Sequence, residues 1–304
     1  MTTRVFLTGV TGQVGGDVLM EMVRRGLEVA ALVRKPTQIS SCRIIVGDLS
    51  NPAPFAAELE ASDVIVHLAS SRSAGQDEVL GDIAGSAGII DHWKRGTLVC
   101  LSSGSLHPGS PVALGEGMPL AIGNGYALGK ACNEFQLRMA AGVGQRGPGI
   151  TLRPGIVFGA GQRRNDRRVL GNVYDGCRSN AKFLFCSGEG LESFGASFIG
   201  TADFGRAVSD ALALKTSGPY NVSGGFCTWR QLIETMNRYA GTHADFLVRP
   251  AAPSASGEVA LPQCRRFLDT TRFNQATSFV PKQTLEQLVE EYVRAVQTTV
   301  ARLN

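Results

Sequence analysis

Long apolar runs are missing from this 304-residue chain. None approaches the roughly 18 residues that a transmembrane helix needs, so no membrane span is expected. The chain opens almost at once on a strand-like run, without the charged and apolar regions of a signal peptide, and a cytoplasmic location follows as the expectation. Charge of one sign is scarce too. The formal net charge is +4, and apart from RRNDRR at 163–168 the basic residues are scattered, which is too little to hold nucleic acid by charge alone. The seven cysteines (42, 100, 132, 177, 186, 227 and 264) are odd in number and form no C-x-x-C pair. Neither a disulfide framework nor a zinc site is expected; free thiols in a reducing compartment fit better. No His, Cys or Asp spacing argues for any metal.

Glycine is what the chain has in quantity, 37 residues, and tight turns follow from it. Between the turns, apolar runs alternate with helical patterns. RVFLTG (4–9), LEVAALVR (27–34), CRIIVGDL (42–49), DVIVHLAS (63–70), TLVCLSSGS (97–105) and GITLRPGIVFG (149–159) read as six strands. Helices are expected over VGGDVLMEMVRRG (14–26), PFAAELEA (54–61), about 82–94, and YALGKACNEFQLRMAA (126–141). Strands apolar on both faces and separated by helices imply an α/β fold: a Rossmann-like, doubly wound parallel sheet.

The pattern changes after Gly159. A helix near 163–180 and a short strand KFLFC (182–186) come first, then strand and helix in FGASFIGTADFGRAVSDALAL (194–214) and a strand in GPYNVSGG (218–225). TWRQLIETMNRYA is a helix with Thr228 as N-cap, ADFLVRP (244–250) a strand, and TLEQLVEEYVRAVQTTVARL a helix capped by Thr284. AAPSASGE (251–258) is the best candidate for a mobile loop. The division expected is a dinucleotide-binding domain over 1–159 and a smaller, mixed α/β, mainly substrate-binding part over 160–304. Some later segments are allowed to return to the first sheet.

RVFLTGVTGQVGGDV places Gly9, Gly12 and Gly15 between a strand and a helix. One glycine permits a backbone conformation closed to other residues, another lets the chain approach a pyrophosphate, and the last lets helix and strand pack closely. The helix start then offers free N–H groups and a positive dipole to phosphate. The plainer reading is a corner without a ligand. At the end of the second strand an acid would favour NAD, whereas this chain has Leu32, Val33, Arg34 and Lys35. Arg34 and Lys35 suit the 2′-phosphate of NADP, unless both are merely solvated. Asp48 can take the adenine amino group or cap its own turn.

YALGK puts Tyr126 and Lys130 four apart, on one helix face. A free phenol is too weak an acid for neutral pH; a neighbouring ammonium favours the phenolate. Such a tyrosine can exchange a proton with a substrate oxygen while hydride moves at the adjacent carbon.

Taken in order, TGVTGQVG, GDLSN, DVIVHLAS, DIAGSAGIID, LSSGS, YALGK, LRPGIVFGAG, ASFIGTADFGRAV, GPYNVSGG and the C-terminal RFLDTTRFNQATSFVPKQTLEQLVEEYV resemble the extended short-chain dehydrogenases/reductases, in their NAD-dependent epimerase/dehydratase form. The resemblance covers nearly the whole chain. It implies Tyr126 as acid–base with Lys130 as its partner. It implies a cofactor site of Gly9, Thr11, Gly12, Gln13, Val14, Gly15, Arg34, Lys35, Asp48, Leu49, Leu68, Ala69, Lys130 and Pro154. The family's strand-end Ser or Thr registers on Gly104, so Ser103 or Ser105 must substitute; Ser103, which continues the strand, is preferred, although Ser102 and Ser103 also suit strand-end backbone groups. His67 is read as packing near the cofactor.

The segment before FIGTADF lacks the arginine that sugar-nucleotide members often place on a diphosphate, and Gly200 and Ala202 replace the usual His and first Asp while Asp203 remains. RRNDRR is either a phosphate clamp or a solvated face. Nothing acidic closely follows Ser103, which argues against a dehydratase. The resulting expectation is an enzyme: an NADP- or NAD-dependent oxidoreductase reducing a ketone, or oxidising the alcohol, of a small or nucleotide-linked substrate. The alternatives are an epimerase that retains its cofactor and a non-catalytic NADP sensor. The resemblance also implies a homodimer through the 82–94 helix and the one following Tyr126.

Overall fold

The computed structural model of the protein describes residues 2–71, 75–159, 169–250 and 255–301. RRNDRR and residues 251–254 of the expected mobile loop lie outside them. The first half builds β1 (Arg4–Thr8), α1 (Gly15–Arg24), β2 (Glu28–Val33), β3 (Arg43–Val46), α2 (Ala56–Ala61), β4 (Val64–His67), α3 (Gln76–His92), β5 (Thr97–Leu101), α4 (Gly125–Ala140) and β6 (Gly149–Pro154). The remainder builds β7 (Ile156–Phe158), α5 (Val169–Arg178), β8 (Lys182–Phe185), α6 (Gly188–Ser193), β9 (Gly195–Gly200), α7 (Thr201–Ala211), β10 (Gly218–Val222), β11 (Gly225–Thr228), α8 (Trp229–Ala240), β12 (Asp245–Val248), β13 (Glu258–Ala260), β14 (Arg265–Arg266), α9 (Thr271–Thr277) and α10 (Leu285–Ala301).

Seven strands form one parallel sheet in the order β10-β6-β5-β4-β1-β2-β3. The order reverses direction beside β1, and in open α/β sheets that switch point is where ligands bind. Every residue of β4 and β6 is buried, as a sheet covered on both faces requires. One face is closed by α1 and α7, whose Val18, Leu19, Met22, Phe204 and Val208 pack with Val5, Leu7 and Val66. The two helices approach closely at Gly205, where a Cβ would lie 2.8 Å from the Asp17 carbonyl oxygen. The other face is closed by α2 with the turn before it, α3 and α4, through Phe55, Leu59, Ile89, Ile90, Leu137 and Ala140.

Two small sheets carry the rest. In one, β9 lies between antiparallel β11 and parallel β14, and also pairs with β7. In the other, β8 lies between β12 and β13. Strand β10 leaves this region and joins the edge of the large sheet beside β6. GITLRPGIVFG, expected as one strand, is two. Gly155 divides it, because a Cβ there would sit 2.4 Å from the Ser197 carbonyl oxygen, and the chain passes from the large sheet into the small one. The expected caps at Thr228 and Thr284 form: Thr228 Oγ1 accepts from the Gln231 N–H, and Thr284 Oγ1 from the Gln287 N–H.

Candidate active site

The glycine turn ends β1 and opens α1. Gly9 has φ +80°, and a Cβ on it would meet Ala69 N at 2.6 Å and the Leu68 carbonyl carbon at 2.8 Å. Gly15 is just as closed, with a Cβ 2.2 Å from the Gly9 carbonyl oxygen. Gly12 differs. Its only close neighbour is the Gly9 oxygen, 3.0 Å from a Cβ, and its own N–H closes the turn onto that oxygen at 2.9 Å. Gly9 and Gly15 are therefore bare to let the turn, the end of β4 and α1 pack, while Gly12 is bare toward open space. Val14 precedes the helix without a side-chain cap, and no side chain among the described residues accepts from the first N–H groups of α1. This turn fits a dinucleotide pyrophosphate. Gln13 commits its side-chain amide to the Val157 carbonyl at 3.0 Å.

Around the adenosine side, Arg34 and Lys35 are exposed just beyond β2, and the charge of Arg34 reaches Asp48. Asp48 caps its own turn through the Ser50 N–H at 2.9 Å; this bond, more than Arg34, holds its carboxyl below the usual range. Leu49 supports Gly85 of α3, with its Cβ 3.0 Å from where a glycine Cβ would stand.

His67 at the end of β4 is buried, Nδ1 on the Thr8 hydroxyl at 2.8 Å and Nε2 on Ser86 Oγ at 3.0 Å. The Thr8 oxygen also accepts the Ala69 N–H at 3.2 Å. Burial first, and then the charge of Lys130, push the His67 pKa down to about 3, so it stays neutral and ties three elements together. Among the described residues no group of His, Cys, Asp and Glu is arranged to hold a metal ion.

Asn124 starts α4 by accepting the Ala127 N–H on Oδ1 at 2.9 Å, so the next turn presents Tyr126 and Lys130 together. Lys130 is 4% exposed; its Nζ donates to the Leu101 carbonyl at 2.9 Å and stands 5.8 Å from the centre of the Tyr126 ring. Burial lowers its pKa from the usual lysine value, while Asp82, Cys100 and Glu134 act in the opposite direction. Tyr126 itself is about one-third exposed.

Two residues beyond Leu101 come the serines. A Cβ on Gly104 would meet the Pro154 carbonyl oxygen at 2.7 Å and Leu268 Cδ1 at 2.8 Å, so no hydroxyl-bearing side chain fits there. Ser103 and Ser105 flank it with hydroxyls 2.8 Å apart, and Ser103 Oγ also accepts the Ser105 N–H at 3.1 Å. The two serines weighed as alternatives thus form one pair. Both line a cavity of ≈ 160 Å³ with Pro154, Trp229, Arg266 and Leu268. Ser102 turns the other way, donating to Glu134 Oε1.

Sequence reading missed the support of this site. Glu134, one turn after Lys130, takes Arg153 in a fork, Nε to Oε1 at 2.9 Å and Nη2 to Oε2 at 2.6 Å, with both side chains nearly buried. His107 is fully buried against Asn221 Oδ1 at 3.1 Å. This network ties α4 to β6 and β10 and holds Lys130 against β5. The signal was present: Tyr126, Lys130 and Glu134 repeat every four residues on one helix face. Asp203 is also structural, since Oδ2 accepts the Lys282 and Gln283 N–H groups at 2.7 and 2.9 Å. A Cβ on Gly200 would lie 2.1 Å from Gln283 Oε1, so a larger side chain there would have to displace the Gln283 amide.

Solved structures share this architecture throughout. A UDP-glucose-4-epimerase from Stenotrophomonas maltophila, with NAD and formylated UDP-arabinopyranose bound, is 16% identical, covers 99% of this chain and 100% of its own, and superimposes with a TM-score of 0.82. A UDP-glucuronic acid 4-epimerase from Bacillus cereus, in complex with UDP-glucuronic acid and NAD, is 17% identical over 98% of this chain and 100% of its own, with a TM-score of 0.80. A dTDP-glucose 4,6-dehydratase from Bacillus anthracis str. Ames, in complex with NAD, is 17% identical over 98% and 97%, with a TM-score of 0.79. No curated protein sequence matches the chain. The profile of one enzyme family matches residues 5–222, well over half of the sequence, and with it the chain belongs to the NAD dependent epimerase/dehydratase family.

Proposed function

We propose that the chain is an NADP-dependent oxidoreductase of the extended short-chain dehydrogenase/reductase type, with NAD as the alternative cofactor. The observation that carries this reading is Lys130: a lysine buried to 4% exposure beside Tyr126 is costly unless its charge is used. When bound, the nicotinamide supplies or accepts the hydride. The turn of Gly9, Gly12 and Gly15 with the start of α1 would hold its pyrophosphate, Arg34 and Lys35 its 2′-phosphate, and Lys130 its nicotinamide ribose. Tyr126 holds the proton on its phenolic oxygen and exchanges it with the substrate oxygen. The Lys130 ammonium favours the phenolate, and the Ser103–Ser105 pair orients that same oxygen. The NADP preference is supported by the absence of any acid at 32–35.

Tyr126→Phe tests the assignment: turnover falls by about 10²–10⁴ while NADPH binding persists. Full activity in that variant would sink it. An epimerase would use the same groups in both directions, and it is separated by one measurement, since a reductase consumes added NADPH and an epimerase works without any. The substrate would be a ketone or alcohol on a small or nucleotide-linked skeleton.

The molecule is also proposed to be a homodimer. Leu128, Phe135 and Met139 expose 45, 64 and 64% of their surface on one face of α4, and Leu80 on the adjoining α3 exposes 54%. Such exposed apolar side chains on a packed helix pair support an interface with a second copy.

A further inference from the structure

Among the described residues, the cavity beside the serine pair is lined by one cation, Arg266. Arg265 and Arg266 form β14, and adjacent strand residues point to opposite faces. Arg265 is used up by packing: its guanidinium lies 5.1 Å and 5.0 Å from the ring centres of Phe226 and Phe267 and donates to the Pro111 carbonyl. Arg266 faces the cavity. Its Nε donates to the His107 carbonyl at 3.1 Å, and the His107 backbone is fixed in turn by a side chain buried against Asn221. The two terminal nitrogens of Arg266 make no hydrogen bond and meet no carboxylate among the described residues. In register with Arg266 on β9 stands Ala196, a small side chain that leaves the space in front of β9 open.

From this geometry we infer that Arg266 is a specificity residue for a substrate carrying a carboxylate near the carbon whose oxygen the serine pair orients. The proposal rests on the oxidoreductase reading for the serines, but the anion site stands on its own geometry. A guanidinium held at Nε presents its remaining N–H groups as a fork, which matches a carboxylate edge. Among the described residues lining the cavity, Arg266 is the only charged one; the polar remainder is Ser103, Ser105 and Ser197. One cation balances one negative charge. A diphosphate would leave at least one further charge without a partner among the described lining residues, against apolar walls such as Trp229 and Leu268. The space of ≈ 160 Å³ suits a compact acid, with its hydroxyl or carbonyl toward the serines and its carboxylate toward Arg266.

The test uses glycolate, ethylene glycol, inorganic phosphate and UDP as probes, at constant ionic strength, with binding read from the fluorescence of Trp229, which lines the same cavity. Wild type is expected to saturate with glycolate and not with ethylene glycol. Arg266→Leu should weaken glycolate by about tenfold or more. Arg266→Gln, which keeps a donor for the His107 carbonyl, should weaken it similarly, so a misfolded leucine variant does not decide the matter. In a Tyr126→Phe background glycolate binding should still fall on Arg266→Leu, which separates a failed anion site from a failed acid–base assignment. The inference is overturned if glycolate shows no saturable signal up to about 0.1 M, if both Arg266 variants bind it unchanged, or if the Arg266 variants lose only phosphate or UDP.

Discussion

Gly12→Ala and Gly15→Ala separate a glycine kept for a ligand from one kept for packing. At Gly15 a methyl would lie 2.2 Å from the Gly9 carbonyl oxygen and 2.6 Å from Val10 Cα, both backbone atoms that cannot swing aside. Relief needs α1 to move by about 1 Å against a core that includes Val18 and Met22. Overpacking of this kind costs about 1–3 kcal/mol, against which better helix propensity returns at most about 1. At Gly12 the methyl meets a single oxygen at 3.0 Å, a gap that closes with a shift of a few tenths of an ångström. There the smaller entropy of the unfolded alanine chain offsets the crowding by about 0.4–1 kcal/mol. The cofactor-free protein should therefore melt several degrees lower with Gly15→Ala, at roughly 2–4 °C per kcal/mol, and within about 1–2 °C of wild type with Gly12→Ala. Calorimetric titration with NADPH should then show Gly12→Ala binding at least about tenfold more weakly, because the methyl would stand where the pyrophosphate is proposed to approach the chain. If Gly12→Ala binds NADPH normally, or melts as low as Gly15→Ala, the reading of Gly12 as a ligand-facing glycine is refuted.

Arg34→Ala should weaken NADPH far more than NADH in the same titration, since only the former carries the 2′-phosphate; equal losses would remove the argument for NADP. The neutral, buried His67 makes stability pH-dependent. Its folded pKa of about 3 lies below the unfolded value of 6.5, so the unfolded chain binds the extra proton between those limits. The associated stability is complete above about pH 6.5 and is lost as pH falls toward 3, at up to about 1.4 kcal/mol per pH unit. Urea melts across this range should show a shallower slope in His67→Gln, and an unchanged slope would contradict the assignment. Phe135→Glu should shift the mass in light scattering from dimer to monomer; a monomeric wild type would dispose of the proposed interface.

What was legible in the sequence followed from local rules. Apolar runs such as VFL and VIV, flanked by glycines and helical periods, specify a buried parallel strand wherever they land, and six of the seven strands of the large sheet lie within segments read before the change of pattern at Gly159. Short pieces were not legible. Strand β14 is two arginines, a composition that no strand rule selects, and it exists because β9 offers it an edge. The division of GITLRPGIVFG was equally hidden, since it depends on the Ser197 carbonyl passing within 2.4 Å of a Cβ at position 155.

The serine question shows how the missing information is supplied. In one dimension, SSGS presents two candidates around a glycine that departs from the family pattern. The departure is forced by neighbours far along the chain: Pro154 and Leu268 close on position 104 and leave no space for a side chain. A hydroxyl for the proposed substrate role can then come only from the flanks, and the turn brings Ser103 and Ser105 within hydrogen-bond distance of each other. Either hydroxyl can donate while the other accepts, so the pair can serve a carbonyl in one direction and an alcohol in the other. Leu268, which closes position 104, lies two residues after Arg266 and lines the same cavity. One segment near the C-terminus thus closes position 104 and sets the charge that faces the flanking serines.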